Sequence, residues 1–163
     1  MLPLTDADIR ASFLNASRSE RKGLTLPPDF DTLDWEKLGH LGWRDPKLPL
    51  VGYVIVELDG VTTGILLRQA ETRPLSRAQC SWCVDVTLPN DVVMFTAKRA
   101  GDAGRRGDTV GTLVCAHFEC SANVRKRPPT AYIGFDVEAA RERRIGTLRD
   151  NVRGFARSIR DGS

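Results

Sequence analysis

The chain contains four cysteines, in two close pairs: Cys80-Ser81-Trp82-Cys83 and Cys115-Ala116-His117-Phe118-Glu119-Cys120. The spacing is C-x2-C, then 31 residues, then C-x4-C. Two tight turns that each offer two thiolates are what a tetrahedral ion needs, and zinc takes four sulfurs at about 2.3 Å in a closed shell. Other uses of these cysteines explain less. Disulfides belong to oxidising compartments, and residues 1–8 show neither the basic start nor the apolar run of a secretory leader. A C-x-x-C redox pair would employ Cys80 and Cys83 but leave Cys115 and Cys120 idle, with no βαβ pattern around them. Four buried free thiols are the plain alternative. We expect one structural Zn2+ on Cys80, Cys83, Cys115 and Cys120, with His117 the residue able to replace a thiolate. Such a metal contributes about 10–16 kcal/mol of folding free energy at neutral pH. That exceeds the net stability of a typical domain.

Chemistry beyond the metal is sparse. A catalytic zinc keeps a position open for water, and four thiolates leave none. No Ser-His-Asp order and no paired carboxylates stand out, and His40 lies in a loop with no partner motif. Gly101, Gly104 and Gly107 accompany Arg105 and Arg106, but the order G-x-x-x-x-G-K-[ST] of a phosphate cradle is missing. The residues therefore read as non-enzymatic.

The elements that must position the cysteines are legible in outline. Thr5-Asp6-Ala7-Asp8 has the form of a capping box, and Ile9 and Phe13 stack at i,i+4, so a helix is expected over residues 5–16, fraying into the charged run 18–22. A connector with Pro27-Pro28 follows, then a short helix over 31–38 and a turn over 41–47. Trp35 and Trp43 read as packing residues. Residues 51–58 and 61–68 are rich in β-branched side chains and flank Asp59-Gly60, the favoured two-residue hairpin turn. Trp82, between two ligands, is expected to shield the sulfurs. Residues 86–89 are strand-like, and 92–98 and 109–114 form a hairpin joined by a basic, glycine-rich loop over 99–108. A helix carrying Cys120 begins near Phe118. Knuckle, hairpin, then ligands at a helix start is the order of a treble clef. Asp136 caps a last helix whose Ile145, Leu148, Val152, Phe155 and Ile159 recur at 3,4,3,4 and make one buried face.

The expected fold class is α+β: a treble-clef-like zinc finger with β-hairpins, an N-terminal helix and a long C-terminal helix. At 163 residues it reads as one domain over 1–163: helix, Trp loop and hairpin in 1–76, finger in 77–130, C-terminal helix in 131–163. Net charge is +3, and the basic excess lies in the finger and the tail. A mild basic face of this kind suits RNA or an acidic protein surface. No apolar run reaches the roughly 20 residues of a membrane helix. The expectation is a cytoplasmic monomer with no membrane attachment.

Several stretches resemble the zinc-binding C-terminal domain of the elongation factor G-binding proteins, the family that includes fusidic acid resistance proteins. They are Cys80 to Cys83, residues 92–101, Gly107-Asp108-Thr109-Val110-Gly111-Thr112, and 115–125. Leu41-Gly42-Trp43-Arg44-Asp45-Pro46-Lys47 and Asn151-Val152-Arg153-Gly154-Phe155 extend the likeness over nearly the whole chain. The resemblance implies a non-enzymatic, ribosome-associated adaptor. Its zinc domain would dock on elongation factor G and help it leave the ribosome, relieving a drug-stalled complex and giving fusidic acid tolerance. It carries the metal ligands over to Cys80, Cys83, Cys115 and Cys120. Partner contacts carry over to Phe95, Lys98, Arg99 and Phe155. Arg105 and Arg106 join them as the basic tip of the hairpin, while strand alternation equally places Phe95 in the core. Longer resistance proteins carry a separate N-terminal helical domain for which this chain has no room. Two other readings stand beside this one. One is an rRNA-binding zinc protein using residues 98–106 and 125–127. The other is a zinc- or redox-responsive factor of ribosome hibernation.

Overall fold

The computed structural model describes residues 1–71, 78–85, 90–129 and 132–162. The strand-like stretch expected at 86–89 lies outside them. The described residues form one antiparallel five-stranded sheet, in sequence order: β1 Leu41–Arg44, β2 Val51–Leu58, β3 Val61–Gln69, β4 Val92–Lys98 and β5 Thr109–Cys115. Five helices accompany it: α1 Asp6–Ser12, α2 Arg18–Gly23, α3 Gly101–Arg105, α4 Cys120–Asn123 and α5 Val137–Asp161.

β2 is the spine. Its burial is almost continuous because both faces are covered. Val54, Val56 and Leu58 meet the cysteines, Trp82 and the α5 stripe on one side. Tyr53 and Ile55 meet Ile9, Phe13 and Trp43 on the other. Asp59 (φ 54°) and Gly60 (φ 79°) close the β2–β3 turn in the left-handed region that Asp-Gly tolerates.

β3 and β4 share only two register pairs, Arg68↔Thr96 and Gln69↔Phe95, and then diverge. Residues 13–15 fill the fork. Leu14 N–H donates to Gly64 O at 2.9 Å. The Asn15 amide donates to Leu66 O and Lys98 O at 3.0 and 2.9 Å, and accepts from Leu66 N–H at 2.8 Å. One side chain thus stands in for a rung of the ladder.

Local expectations are revised at several points. The first helix stops at Ser12, and the charged run does not fray from it. It forms α2, with a capping box between Ser17 and Glu20. The short helix expected at 31–38 is two 3-10 turns, Phe30–Thr32 and Trp35–Lys37. The turn expected at 41–47 begins as strand β1, because Leu41 and Trp43 alternate into the second core while pairing with β2. The loop expected at 99–108 holds α3. Gly104 allows that turn: a Cβ there would meet Arg99 O at 1.8 Å.

α5 forms as its stripe predicts. Asp136 caps it by accepting from Ala139 N–H at 2.9 Å. Ile145, Leu148, Val152 and Ile159 are buried, and Phe155 is half-buried. Its C-terminal carbonyls, orphaned by the helix geometry, are met by the β4–β5 tip. Ala100 N–H donates to Ile159 O at 2.8 Å, and the Arg99 guanidinium donates to Ser158 O. No helix among the described residues is long and apolar enough to cross a membrane.

Candidate metal centre

Each cysteine pair is presented by a turn closed on its own backbone. Val84 N–H donates to Cys80 O at 3.0 Å, and Phe118 N–H donates to Cys115 O at 2.9 Å. Both turns pass through a left-handed residue, Val84 at φ 56° and Phe118 at φ 60°. Cys115 ends β5 and Cys120 opens α4, so hairpin and helix carry the second pair. Ser81 N–H donates to Leu113 O at 2.8 Å and ties the first turn to β5.

The four Sγ atoms lie within 4.8 Å of one another, and all four residues are buried. Cys80 and Cys120 are 3.6 Å apart at sulfur, Cys83 and Cys115 3.7 Å. A disulfide needs about 2.05 Å. A tetrahedron of zinc–sulfur bonds has edges of about 3.8 Å, so the spacing fits one zinc ion. Without a cation the thiols cannot all ionise. The neighbouring thiols of Cys115, Cys120 and Cys83 pull Cys80 far below the ordinary thiol range. Cys120 is pushed far above it by the neighbouring sulfurs of Cys115, Cys80 and Cys83 and by burial.

Polar groups outside the ligands hold the sulfurs. Cys83 N–H donates to Cys80 Sγ at 3.5 Å, and the buried Asn123 amide donates to Cys115 Sγ at 3.5 Å. α5 clamps the first turn. Asn151 donates to Trp82 O at 3.0 Å, and Arg144 pairs with Asp85 at 2.5 Å. Trp82 is 1% exposed and stands against His40, Phe118 and Phe155, with ring centroids 5.3, 6.2 and 5.6 Å away.

Phe118 fixes the second turn to the sheet. Its ring lies over Gly42 and Gly52, where an added Cβ would come within 2.7 Å of it. Only glycine permits that approach of ring to backbone. Arg44 adds a second tie, donating through Nε to Ala116 O while its guanidinium lies 5.1 Å from the Phe95 ring centroid.

His117, the expected substitute ligand, is exposed and stands outside the sulfur cluster. The expected partner contacts separate. Phe95 is 0% exposed, 5.2 Å from Phe118 ring to ring, and presents no surface to a partner; it packs the core. Arg99 is committed to the end of α5. Lys98 is exposed and lines a small depression with Asn15, Glu20, Leu66, Arg68, Thr96 and Thr109. Arg105 and Arg106 are exposed on the hairpin tip, Arg105 paired with Asp102. Phe155 lies with Trp82 in an open groove, whose walls include Met94, Gly111, Asp150 and Gly154. Asn123, Gly42, Gly52 and Arg44 also support the centre. Only Asn123, three residues after Cys120 on a helix start, had a spacing that could have marked it.

A C-x2-C turn, a two-stranded hairpin and a ligand opening a helix, closed on four buried sulfurs, define a treble-clef zinc finger. The family model of the FBP C-terminal treble-clef zinc-finger matches residues 8–159, and the chain belongs to that family. Its four cysteines hold one structural zinc ion. Comparison with curated proteins and with solved structures gives no significant match.

Proposed function

We propose that this chain is a non-enzymatic adaptor that docks on elongation factor G and promotes its departure from the ribosome. The observation that carries the reading is the sealed metal. All four sulfurs are buried and all four are ligands, so the zinc organises a surface and offers no vacancy to a substrate. Family membership adds the resemblance to elongation factor G-binding proteins. The same burial argues against a redox sensor, whose thiols must be reached.

The docking surface combines two accessible features. One is the basic set Lys98, Arg105 and Arg106. The other is the groove lined by Phe155 and Met94, which suits an apolar side chain of the partner. Relief of fusidic acid stalling follows if docking loosens the factor on the ribosome.

Binding of the zinc-loaded chain to purified elongation factor G tests this. Lys98→Glu with Arg106→Glu is expected to weaken it at least about tenfold while zinc content stays unchanged. Phe155→Ala is expected to weaken it with little change in salt dependence. Absence of binding by the parent chain defeats the proposal. Unchanged binding by both variants moves the docking surface elsewhere. Strong, steeply salt-dependent capture of rRNA in its place would favour the RNA-binding reading.

A further inference from the structure

His40 is 1% exposed, and neither Nδ1 nor Nε2 has a hydrogen-bond partner among the described residues. Every other side chain affected in this way leaves one atom unpaired, not two. A buried donor without a partner costs about 1–3 kcal/mol, so an unpaired imidazole in a core calls for an explanation. Phenylalanine or leucine would fill the same space without that cost.

The position of His40 supplies the explanation. Gly39, just before it, donates its N–H to Ser121 Oγ at 3.2 Å, next to the ligand Cys120. The His40 ring stands edge-on to Trp82 at 85°, the residue between ligands Cys80 and Cys83. The segment before β1 thus lies against both metal-binding turns. Four thiolates outweigh one Zn2+, so the loaded centre is negative and buried, and it needs donors. Asn123 supplies one to Cys115.

We propose that His40 donates a ring N–H to a zinc-bound thiolate of these turns, as a positioning residue of the metal centre. A neutral imidazole carries one N–H. In this arrangement the N–H spreads part of the thiolate charge and slows its protonation and loss from the metal. The N-terminal half of the chain thereby gains a direct hold on the finger's ion. The inference concerns the metal alone and stands whatever the partner is.

The full chain loaded with 113Cd2+ and labelled with 15N-histidine gives the direct test. The expected result is a slowly exchanging His40 N–H proton that shows scalar coupling to cadmium and disappears when EDTA removes the metal. His40→Phe keeps the edge contact with Trp82 but removes the donor. It is expected to lose zinc to a chelator roughly 10–100-fold faster. In the Co2+-substituted protein it is expected to shift the sulfur-to-metal charge-transfer band. His40→Gln, which returns an N–H, is expected to recover most of the retention. Absence of the coupling in the parent chain overturns the proposal. So does a His40→Phe chain that holds zinc as long as the parent with the same cobalt spectrum, or equal losses in the Gln and Phe variants. Should His40→Phe fail to fold, the coupling measurement on the parent decides the matter.

Discussion

Val84 shows what the zinc centre demands of single residues. It follows Cys83 directly, and the turn that aims both thiolates inward puts it at φ 56°. A β-branched side chain is strained there by about 1–3 kcal/mol. Its side chain is largely exposed and contributes little burial in return. Glycine would remove the strain at a cost of about 0.4–1 kcal/mol in unfolded-state entropy. Val84→Gly is therefore expected to raise the stability of the zinc-loaded chain by about 1 kcal/mol, read by chemical denaturation. A lower midpoint would show that the valine packs in a way its exposure does not suggest. Phe118 occupies the same backbone region but has the opposite expectation, because its ring fills the slot over Gly42 and Gly52. Gly52→Ala is expected to cost more than about 2 kcal/mol, since the ring must leave a packed core.

At the scale of elements, the fork between β3 and β4 is the joint between the N-terminal hairpin and the finger. Two register pairs cannot hold two hairpins together, and Asn15 supplies the missing rung with three hydrogen bonds. Removing them in Asn15→Ala leaves Leu66 N–H and two carbonyls underpaired, for a loss of about 2–4 kcal/mol. Amide exchange at Leu66 should accelerate together with the drop in denaturation midpoint. Unchanged protection at Leu66 would mean that another group closes the fork. The second joint is the tip of the β4–β5 hairpin on the end of α5, where Arg99 and Ala100 meet Ser158 and Ile159. This joint explains why a basic residue on an outward-looking loop is not available for docking.

At the scale of the molecule, the four cysteines bring together the first turn, the end of β5 and the start of α4. The cysteines belong to the same core as Val54, Leu67, Leu148 and Val152. Chelation is therefore expected to loosen this core and not only the two turns, with loss of near-ultraviolet signal from Trp82. The pH dependence has a definite sign. Zinc binds thiolates, and in the metal-free fold Cys115 and Cys120 are pushed above their ordinary range, so they carry protons at neutral pH. Binding must expel those protons. Affinity thus rises with pH and falls as the solution is acidified. Titration calorimetry in buffers of different ionisation enthalpy is expected to show net proton release. Its absence would mean that the thiols are already ionised before zinc arrives.

Much of this protein was legible from residue order because local rules govern it. The spacing of Cys80, Cys83, Cys115 and Cys120, the Asp59-Gly60 turn, the Asp136 cap and the 3,4,3,4 stripe of α5 each concern neighbours along the chain, where covalent geometry and helix or strand period leave few options. Tertiary structure alone decided the rest. The first helix ends short of residue 16 because Phe13 and Asn15 leave it to pair with β3, a contact 51 residues away for Asn15. β1 has no local signature because its strand character depends on β2. Phe95, Arg99 and His40 are ordinary residue types whose roles depend on what lies over them: a phenyl ring, a helix end, a metal-binding turn. Periodicity sets which face of an element turns inward, but only the packed chain sets what that face meets.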